Sequence, residues 1–179
     1  MITLELPSQK SQTAANLRRW EELLADKELA KVEGRIETDR YGRVIMSPPP
    51  APSHGSLQSE IVFQLRSLLP HGRVISECPI STADGVRAAD VAWASPERMQ
   101  ELGGQVCFST APEICVEAMS PGNSEREMQE KAQLYFDAGA KEVWLCNQRG
   151  EMRFLNREPS EASPVSKLCP SFPKRVVLN

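Results

Sequence analysis

The chain has 179 residues, of which 40% are hydrophobic and 25% are charged, and these values fit one globular domain with a substantial core. Its formal net charge of -3 and its pI near 5.5 argue against nucleic-acid binding through bulk positive charge, although a small basic groove within an acidic surface stays compatible with them. We therefore predict a single domain over residues 1–179, with an N-terminal helical extension over about residues 1–38.

The cysteines and the N-terminus indicate a cytoplasmic protein. No C-x-x-C pair is present, and several of the five cysteines lie in hydrophobic runs, which is typical of reduced core residues. The sequence MITLELPSQK has neither the pattern of a signal peptide nor that of a membrane helix, so we expect no membrane association. The two histidines lie far from paired cysteines, and we predict no zinc site.

The first third of the chain predicts a helix, a hairpin and a rigid connection. In residues 16–33, Leu17, Trp20 and Leu24 recur near helical spacing, which indicates a peripheral helix. Residues 35–47 have strand-like composition around a Tyr41-Gly42 turn, so we expect a hairpin there. The prolines in SPPPAPS then interrupt regular structure because they fix φ and remove backbone donors.

The remainder of the chain predicts a mixed sheet with two more helices. One helix begins at Ser53 and ends before Pro70, and the strands are RVISECPI, RAADVAWA, APEICVEAM and KEVWLCN. Between the last two strands, Ser124 and Glu127 form a capping box for a helix that Gly139 ends. This β-α-β unit favours a parallel strand pair. We expect the tail, which contains MRFLN and VSKLCPSFPKRVVLN, to add an edge strand and a docking segment.

Two carboxylates lie in apolar strand-like runs. In EICVEAM, Glu117 shares a strand face with Cys115 and Met119, and a carboxylate there needs an ion pair, a hydrogen bond or a metal ion. Asp90 begins the run DVAWA; taken alone it is more typical of an aspartate that caps a turn. Two acids in neighbouring strands suit a divalent cation, which prefers hard oxygen ligands.

The predicted helix after Ser124 supplies a cation to the same region. Lys131 lies three residues after Met128 and four before Tyr135, so these side chains share a face that we expect to point towards the sheet. A lysine there can orient water or bind phosphate, or it can extend its ammonium into solvent. Tyr135 fits a core aromatic whose hydroxyl reaches the same site.

Four further residues are secondary candidates for this site. Ser120 follows the Glu117 strand and His54 precedes a helix, so each can contact phosphate or simply satisfy local backbone groups. Glu60 and Glu77 can add an acidic ligand for a second metal ion, while solvation or an ion pair is their ordinary role.

On these residues the sequence resembles the Uma-two family of restriction-endonuclease-like proteins, within the PD-(D/E)XK nuclease superfamily. The resemblance runs from about Tyr41 to Phe172 and rests on GRVIMSPPP, SHG, AADVAWAS, PEICVEAMSPGNS and EKAQLYFDAGAKEVW. It implies a mixed α+β fold in which a restriction-endonuclease-like sheet is flanked by helices. It also implies that Asp90 and Glu117, with the backbone carbonyl of Ala118, bind Mg²⁺ or Mn²⁺.

Two positions depart from the superfamily motif. Met119 stands where a lysine is expected two residues after the second acid, and by position Lys131 is the candidate that replaces it. Ala89 stands in place of the motif proline, which contributes no metal ligand. The resemblance therefore implies a metal-dependent endonuclease that acts on DNA, in which Asp90, Glu117 and Lys131 are the catalytic residues.

Two other interpretations stay open. The absence of lysine at position 119 and the net acidity suit a catalytically inactive nuclease-fold module that binds nucleic acid or protein. Alternatively, Asp90, Glu117 and Lys131 form a buried structural ion network. A homodimer is compatible with a DNA-cutting enzyme, although the composition does not specify one.

Overall fold

The computed structural model of the protein describes residues 8–157 and 162–178. Its helices are α1 (Gln9–Ala25), α2 (Pro52–Leu68), α3 (Pro96–Leu102) and α4 (Glu125–Asp137). Its strands are β1 (Arg35–Thr38), β2 (Val44–Ser47), β3 (Arg73–Thr82), β4 (Gly85–Ala94), β5 (Ile114–Ala118), β6 (Glu142–Cys146), β7 (Met152–Asn156) and β8 (Ala162–Ser163). The predicted class, a mixed α+β fold, is confirmed.

Six strands form one mixed sheet in the order β3-β4-β5-β6-β7-β8. The β5 and β6 strands are parallel and the other neighbours are antiparallel. The parallel pair is joined through α4, as the β-α-β pattern predicted. The α4 helix begins with the predicted capping box, in which the Ser124 hydroxyl accepts from the Glu127 amide and the Glu127 carboxylate accepts from the Ser124 amide.

The sheet is covered by helices on both faces because its strands alternate apolar residues between two cores. One core includes Cys115 of β5 together with the α4 side chains Met128, Tyr135 and Phe136. The other core includes Val116, the α2 leucines and isoleucine, and Trp144 from β6. The period of two along β5 therefore places position 117 on the α4 side of the sheet.

The N-terminal helix differs in extent and facing from the prediction. It begins at Gln9, where Ser8 caps its first turn, and a short 3₁₀ turn follows over Leu29–Lys31. Its buried residues are Gln12, Asn16, Trp20 and Leu23, whereas Leu24, one of the apolar residues at the predicted helical spacing, is 56% exposed. Asn16 donates to the Ser81 hydroxyl and the Thr82 carbonyl, so polar contacts orient the helix and shift its buried face away from Leu24.

The predicted hairpin is present as β1 and β2, and it lies against β4. The Val86 amide donates to the Thr38 hydroxyl at 2.9 Å, and the Ala88 amide donates to the Glu37 carboxylate at 2.8 Å. Gly85 lies at the close approach with φ of +90°, and a β-carbon there would collide with the Thr38 carbonyl. The hairpin is thereby fixed beside the strand that carries Asp90.

The C-terminal part of the chain corrects one expectation and shows how the tail is attached. MRFLN is not an edge strand, because β7 pairs with β6 on one side and with the two-residue β8 on the other. The following segment docks onto the sheet through Glu142, whose buried carboxylate accepts from the Ser166 hydroxyl at 2.6 Å and from the Lys167 amide at 2.6 Å. A buried carboxylate with several donors holds the tail in place.

Candidate functional site

Asp90 and Glu117 meet because they occupy neighbouring positions on adjacent strands. Val91 of β4 is opposite Val116 of β5, so the next position along this antiparallel pair brings Asp90 beside Glu117. Both side chains are buried, at 1% and 4% exposure. The two carboxylates that the sequence predicted as a pair therefore lie together on the α4 side of the sheet.

The Asp90 carboxylate has a donor on each oxygen. Oδ1 accepts from Arg35 Nη1 at 2.6 Å, and Oδ2 accepts from the Ala118 amide at 2.7 Å. Burial alone would raise the pKa of Asp90, but the neighbouring His54 ring and the Arg35 guanidinium outweigh it and hold the pKa below its usual range. Asp90 is therefore an anion in the folded protein at neutral pH.

The Glu117 carboxylate is bound by two residues of α4. Oε1 accepts from the Tyr135 hydroxyl at 2.7 Å, and Oε2 lies 3.1 Å from Lys131 Nζ. Burial raises the pKa of Glu117 to about 7, and the Asp90 charge acts in the same direction, while Lys131 and Tyr135 limit the rise. Glu117 thus titrates near neutral pH, unlike its neighbour Asp90.

Lys131 points inward, as its helical position predicted. Besides Glu117, its Nζ contacts the Ala88 carbonyl at 3.3 Å and a Glu37 carboxylate oxygen at 3.3 Å. Only 17% of its side chain is exposed, so the ammonium does not extend into solvent. Met119, which occupies the motif-lysine position, is partly buried against the α4-side core.

Two charged residues of the hairpin were missed in the sequence analysis. Arg35 pairs with Asp90, and Glu37 accepts from the Ala88 amide while contacting Lys131. Burial would raise the pKa of Glu37, but the Lys131 and Arg35 charges lower it overall. The alternation of the hairpin sequence RIET places both on one face, but no local signal shows that this face contacts β4.

Glu77 lies opposite Asp90 in an unusual backbone conformation. Its φ is +49°, the single positive value among the described non-glycine residues, and the regular β3–β4 pairing skips this position. The amide side chain of Gln58 spans the gap, donating to Glu77 Oε1 at 2.7 Å and to the Asp90 carbonyl at 3.1 Å. Such strained residues concentrate at functional sites.

The structure also places His54 and Ser120 at this site, but not Glu60. His54 Nε2 lies 3.6 Å from Asp90 Oδ2, and its Nδ1 lies 3.3 Å from the Ser120 hydroxyl. The contact with Asp90 raises the pKa of His54. Glu60 instead accepts from Gln64 on the same helix and does not line the cleft described next.

A cleft of about 1080 Å³ lies between the hairpin, the sheet and α4. Its walls include Asp90, Glu117, Lys131, Arg35 and Glu77. This volume lies at or slightly above the upper end of the usual range for small-molecule sites, which is about 300 to 1,000 Å³.

The donor set of the cleft fits a divalent cation only in part. Asp90, Glu117 and the Ala118 carbonyl supply hard oxygens of the kind that Mg²⁺ and Mn²⁺ bind, and Mg²⁺ completes its shell with water and phosphate oxygens. Within residues 8–157 and 162–178, no group of three or more His, Cys, Asp or Glu side chains is arranged to hold a metal ion. Arg35 and Lys131 now occupy carboxylate oxygens that a cation would need.

The architecture is that of a protein described as a putative nuclease belonging to DUF820, from Anabaena variabilis. The crystal structure of that protein matches 83% of this chain and 93% of its own chain, with a TM-score of 0.66 and 18% sequence identity. At this identity the likeness defines the fold.

The chain belongs to the Uma2 family, whose description is "Putative restriction endonuclease", because the family model matches residues 20–174. This is the family that the sequence motifs predicted. A comparison with curated proteins found no match. Among the described residues, no helix has the length and apolar character needed to cross a membrane.

Proposed function

We propose that the protein is a divalent-metal-dependent DNA endonuclease that hydrolyses phosphodiester bonds within this cleft. The observation that carries the proposal is the convergence of Asp90, Glu117 and Lys131 from β4, β5 and α4, with Lys131 Nζ 3.1 Å from a Glu117 oxygen. Membership of the Uma2 family supports the same reaction class.

In this proposal Asp90, Glu117 and the Ala118 carbonyl would hold Mg²⁺ or Mn²⁺. A divalent cation, when bound, supplies positive charge that offsets the negative charge developing on the phosphate. Asp90 is ready for this role because its pKa is depressed. Glu117 gives up its proton near neutral pH, so the cleft acquires its second carboxylate charge as the pH rises through about 7.

Lys131 would position the attacking water or stabilise the phosphate. Its ammonium contacts Glu117, Glu37 and the Ala88 carbonyl, and these contacts fix its location beside Glu117. Tyr135 would orient the Glu117 carboxylate, because its hydroxyl donates to the oxygen that Lys131 does not contact. In this proposal these groups act on the phosphate backbone of DNA and make no contact with the edges of bases.

A cleavage assay with paired variants tests the assignment. Supercoiled, linear and single-stranded DNA are incubated with Mg²⁺ or Mn²⁺ and each protein. We expect Asp90→Asn, which keeps the side-chain shape, to abolish cleavage, and Glu60→Gln, outside the cleft, to retain it. Cleavage by Asp90→Asn at the wild-type rate would disprove the role of this site.

A second variant pair tests the lysine. Lys131→Met should lower the cleavage rate by about 10²- to 10³-fold, the usual range when a positioned electrostatic group is removed. Lys141→Met removes the same charge from an exposed position after α4 and should leave the rate near wild type. Equal rates for the two variants would remove Lys131 from the mechanism.

One observation favours a second candidate, a non-catalytic module that binds nucleic acid or protein. All four oxygens of Asp90 and Glu117 already have a partner in Arg35, Ala118, Lys131 or Tyr135, as a structural ion network would require. Calorimetric titration with Mg²⁺ or Mn²⁺ separates the candidates. If the protein is the proposed enzyme, metal binding should release or absorb heat, and Glu117→Gln should reduce that heat. The absence of any heat of binding at millimolar metal supports the non-catalytic module.

A further inference from the structure

Arg35 is bound to Asp90, but only part of its guanidinium forms hydrogen bonds. Nη1 donates to Asp90 Oδ1 at 2.6 Å. Nε and Nη2 are also buried, yet neither has a hydrogen-bond partner among the described residues. Two acids lie near these donors. Glu77 is 3.3 Å from Nε but is not aligned for a hydrogen bond, and Glu37 is 3.8 Å from Nη2, which is beyond hydrogen-bond distance.

The two unused donors form one edge of the guanidinium. Nε–H and Nη2–H point in the same direction, and this edge is the fork that binds two oxygens of a phosphate or carboxylate. Buried donors in folded proteins are nearly always hydrogen-bonded, so an arginine with a purely structural role would have hydrogen bonds from both of these donors. Arg35 lines the cleft, where an oxyanion would meet it.

Arg35 and a cation would also compete for the same carboxylate. The guanidinium holds Asp90 Oδ1, and Asp90 is one of the two acids proposed to hold the metal ion. A divalent cation adds two positive charges next to this arginine, which weakens the attraction between Arg35 and Asp90 and strengthens the attraction of the cleft for an anion.

We infer that Arg35 is a phosphate-binding residue that holds Asp90 in the cation-free protein and transfers its guanidinium to a DNA phosphate when a divalent cation takes Asp90. This inference rests on the proposed function. It assigns a role to a residue of the hairpin, outside the strand and helix positions of the nuclease motif.

DNA binding without cleavage provides the test. The affinity of a short duplex is measured by fluorescence anisotropy in Ca²⁺, over a series of salt concentrations. Arg35→Gln should weaken binding about tenfold or more and reduce the slope of log K against log salt by about one, as loss of one phosphate contact requires. Arg43→Gln removes the same charge from an exposed position before β2 and should change affinity less than about twofold.

A second variant covers the case in which Arg35→Gln does not fold, because that change removes the cation that pairs with Oδ1 of the buried Asp90 carboxylate. Arg35→Lys keeps the positive charge beside Asp90 but has no fork, so it should fold and should bind DNA about threefold to tenfold more weakly than the wild type. Wild-type DNA affinity in Arg35→Lys would overturn the inference, as would a loss in Arg35→Gln no larger than in Arg43→Gln.

Cation binding separates failure of this inference from failure of the proposed function. We expect the wild type to bind Ca²⁺ and Asp90→Asn to lose that binding. If this result holds while the Arg35 variants keep wild-type DNA affinity, Arg35 is not the phosphate-binding residue and the nuclease proposal stands. If the wild type binds no divalent cation, the proposed function fails and the role of Arg35 fails with it.

Discussion

The titration of Glu117 should make the stability of the protein depend on pH in a defined window. Its pKa is raised from 4.5 to about 7. Between these values the folded protein holds a proton that the unfolded chain has released, so the free energy of unfolding falls as pH rises. The loss is nearly complete about one pH unit above the folded-state pKa, because Glu117 is then ionised in both states.

The size of this effect follows from the two pKa values. From pH 5 to pH 8, Glu117 should lower the free energy of unfolding by about 2 to 3 kcal/mol. Glu117→Gln keeps the side-chain shape and cannot titrate, so the difference in stability between wild type and variant should change by this amount over the same range. Protonated His54 also stabilises the folded protein, and this contribution is lost as the pH rises through its raised pKa. The same loss occurs in the wild type and in Glu117→Gln, so it does not change the difference between them.

Urea unfolding monitored by tryptophan fluorescence measures the difference, since Trp144 is fully buried. The experiment is repeated from pH 5 to pH 8 with Glu60→Gln as the control, whose profile should run parallel to the wild type. If the difference in the free energy of unfolding between wild type and Glu117→Gln stays constant within about 0.5 kcal/mol from pH 5 to pH 8, the predicted titration of Glu117 is refuted. Glu117 would then be ionised throughout this range.

Three further predictions concern contacts described above. Tyr135→Phe should destabilise the protein by about 1.5 to 3 kcal/mol at pH 8, where Glu117 is ionised, and by less at pH 5, as measured by urea unfolding. Glu77→Gly should be more stable than Glu77→Ala by about 1 kcal/mol in the same assay, because both remove the carboxylate and only glycine tolerates the positive φ. Ser166→Ala should lower the free energy of unfolding by about 1 to 3 kcal/mol, because the buried Glu142 loses a donor; an unchanged value would contradict the attachment of the tail through Glu142.

Elements with strong local signals were predicted correctly. The α4 helix has a capping box at its start and the β-α-β pattern requires a crossover, so both α4 and the parallel β5–β6 pair were predictable. The inward position of Lys131 followed from helical periodicity. The α3 helix was missed although Ser95 and Pro96 provide a cap and a first-turn proline, a signal that could have identified it.

The part of the site that could not be predicted depends on contacts between distant segments. Arg35 reaches Asp90 across 55 positions of the sequence, and Glu37 reaches Ala88 across 51. These contacts exist because the hairpin docks on β4, and hairpin composition does not specify which face of a sheet it will meet. The positive φ of Glu77 could not be predicted from the sequence either, since glutamate is not a residue that favours positive φ.

The division of Glu117 and Lys131 between a strand and a helix has a consequence for heat inactivation. When an acid and a lysine occupy one strand, their spacing survives as long as that strand does. Here the 3.1 Å contact depends on how α4 rests on the sheet, through Met128, Tyr135 and Phe136. Local detachment of a helix requires less energy than global unfolding. On heating, the contact between Glu117 and Lys131 should therefore be lost before the sheet melts. The site should lose its arrangement at a temperature below the Tm of the protein.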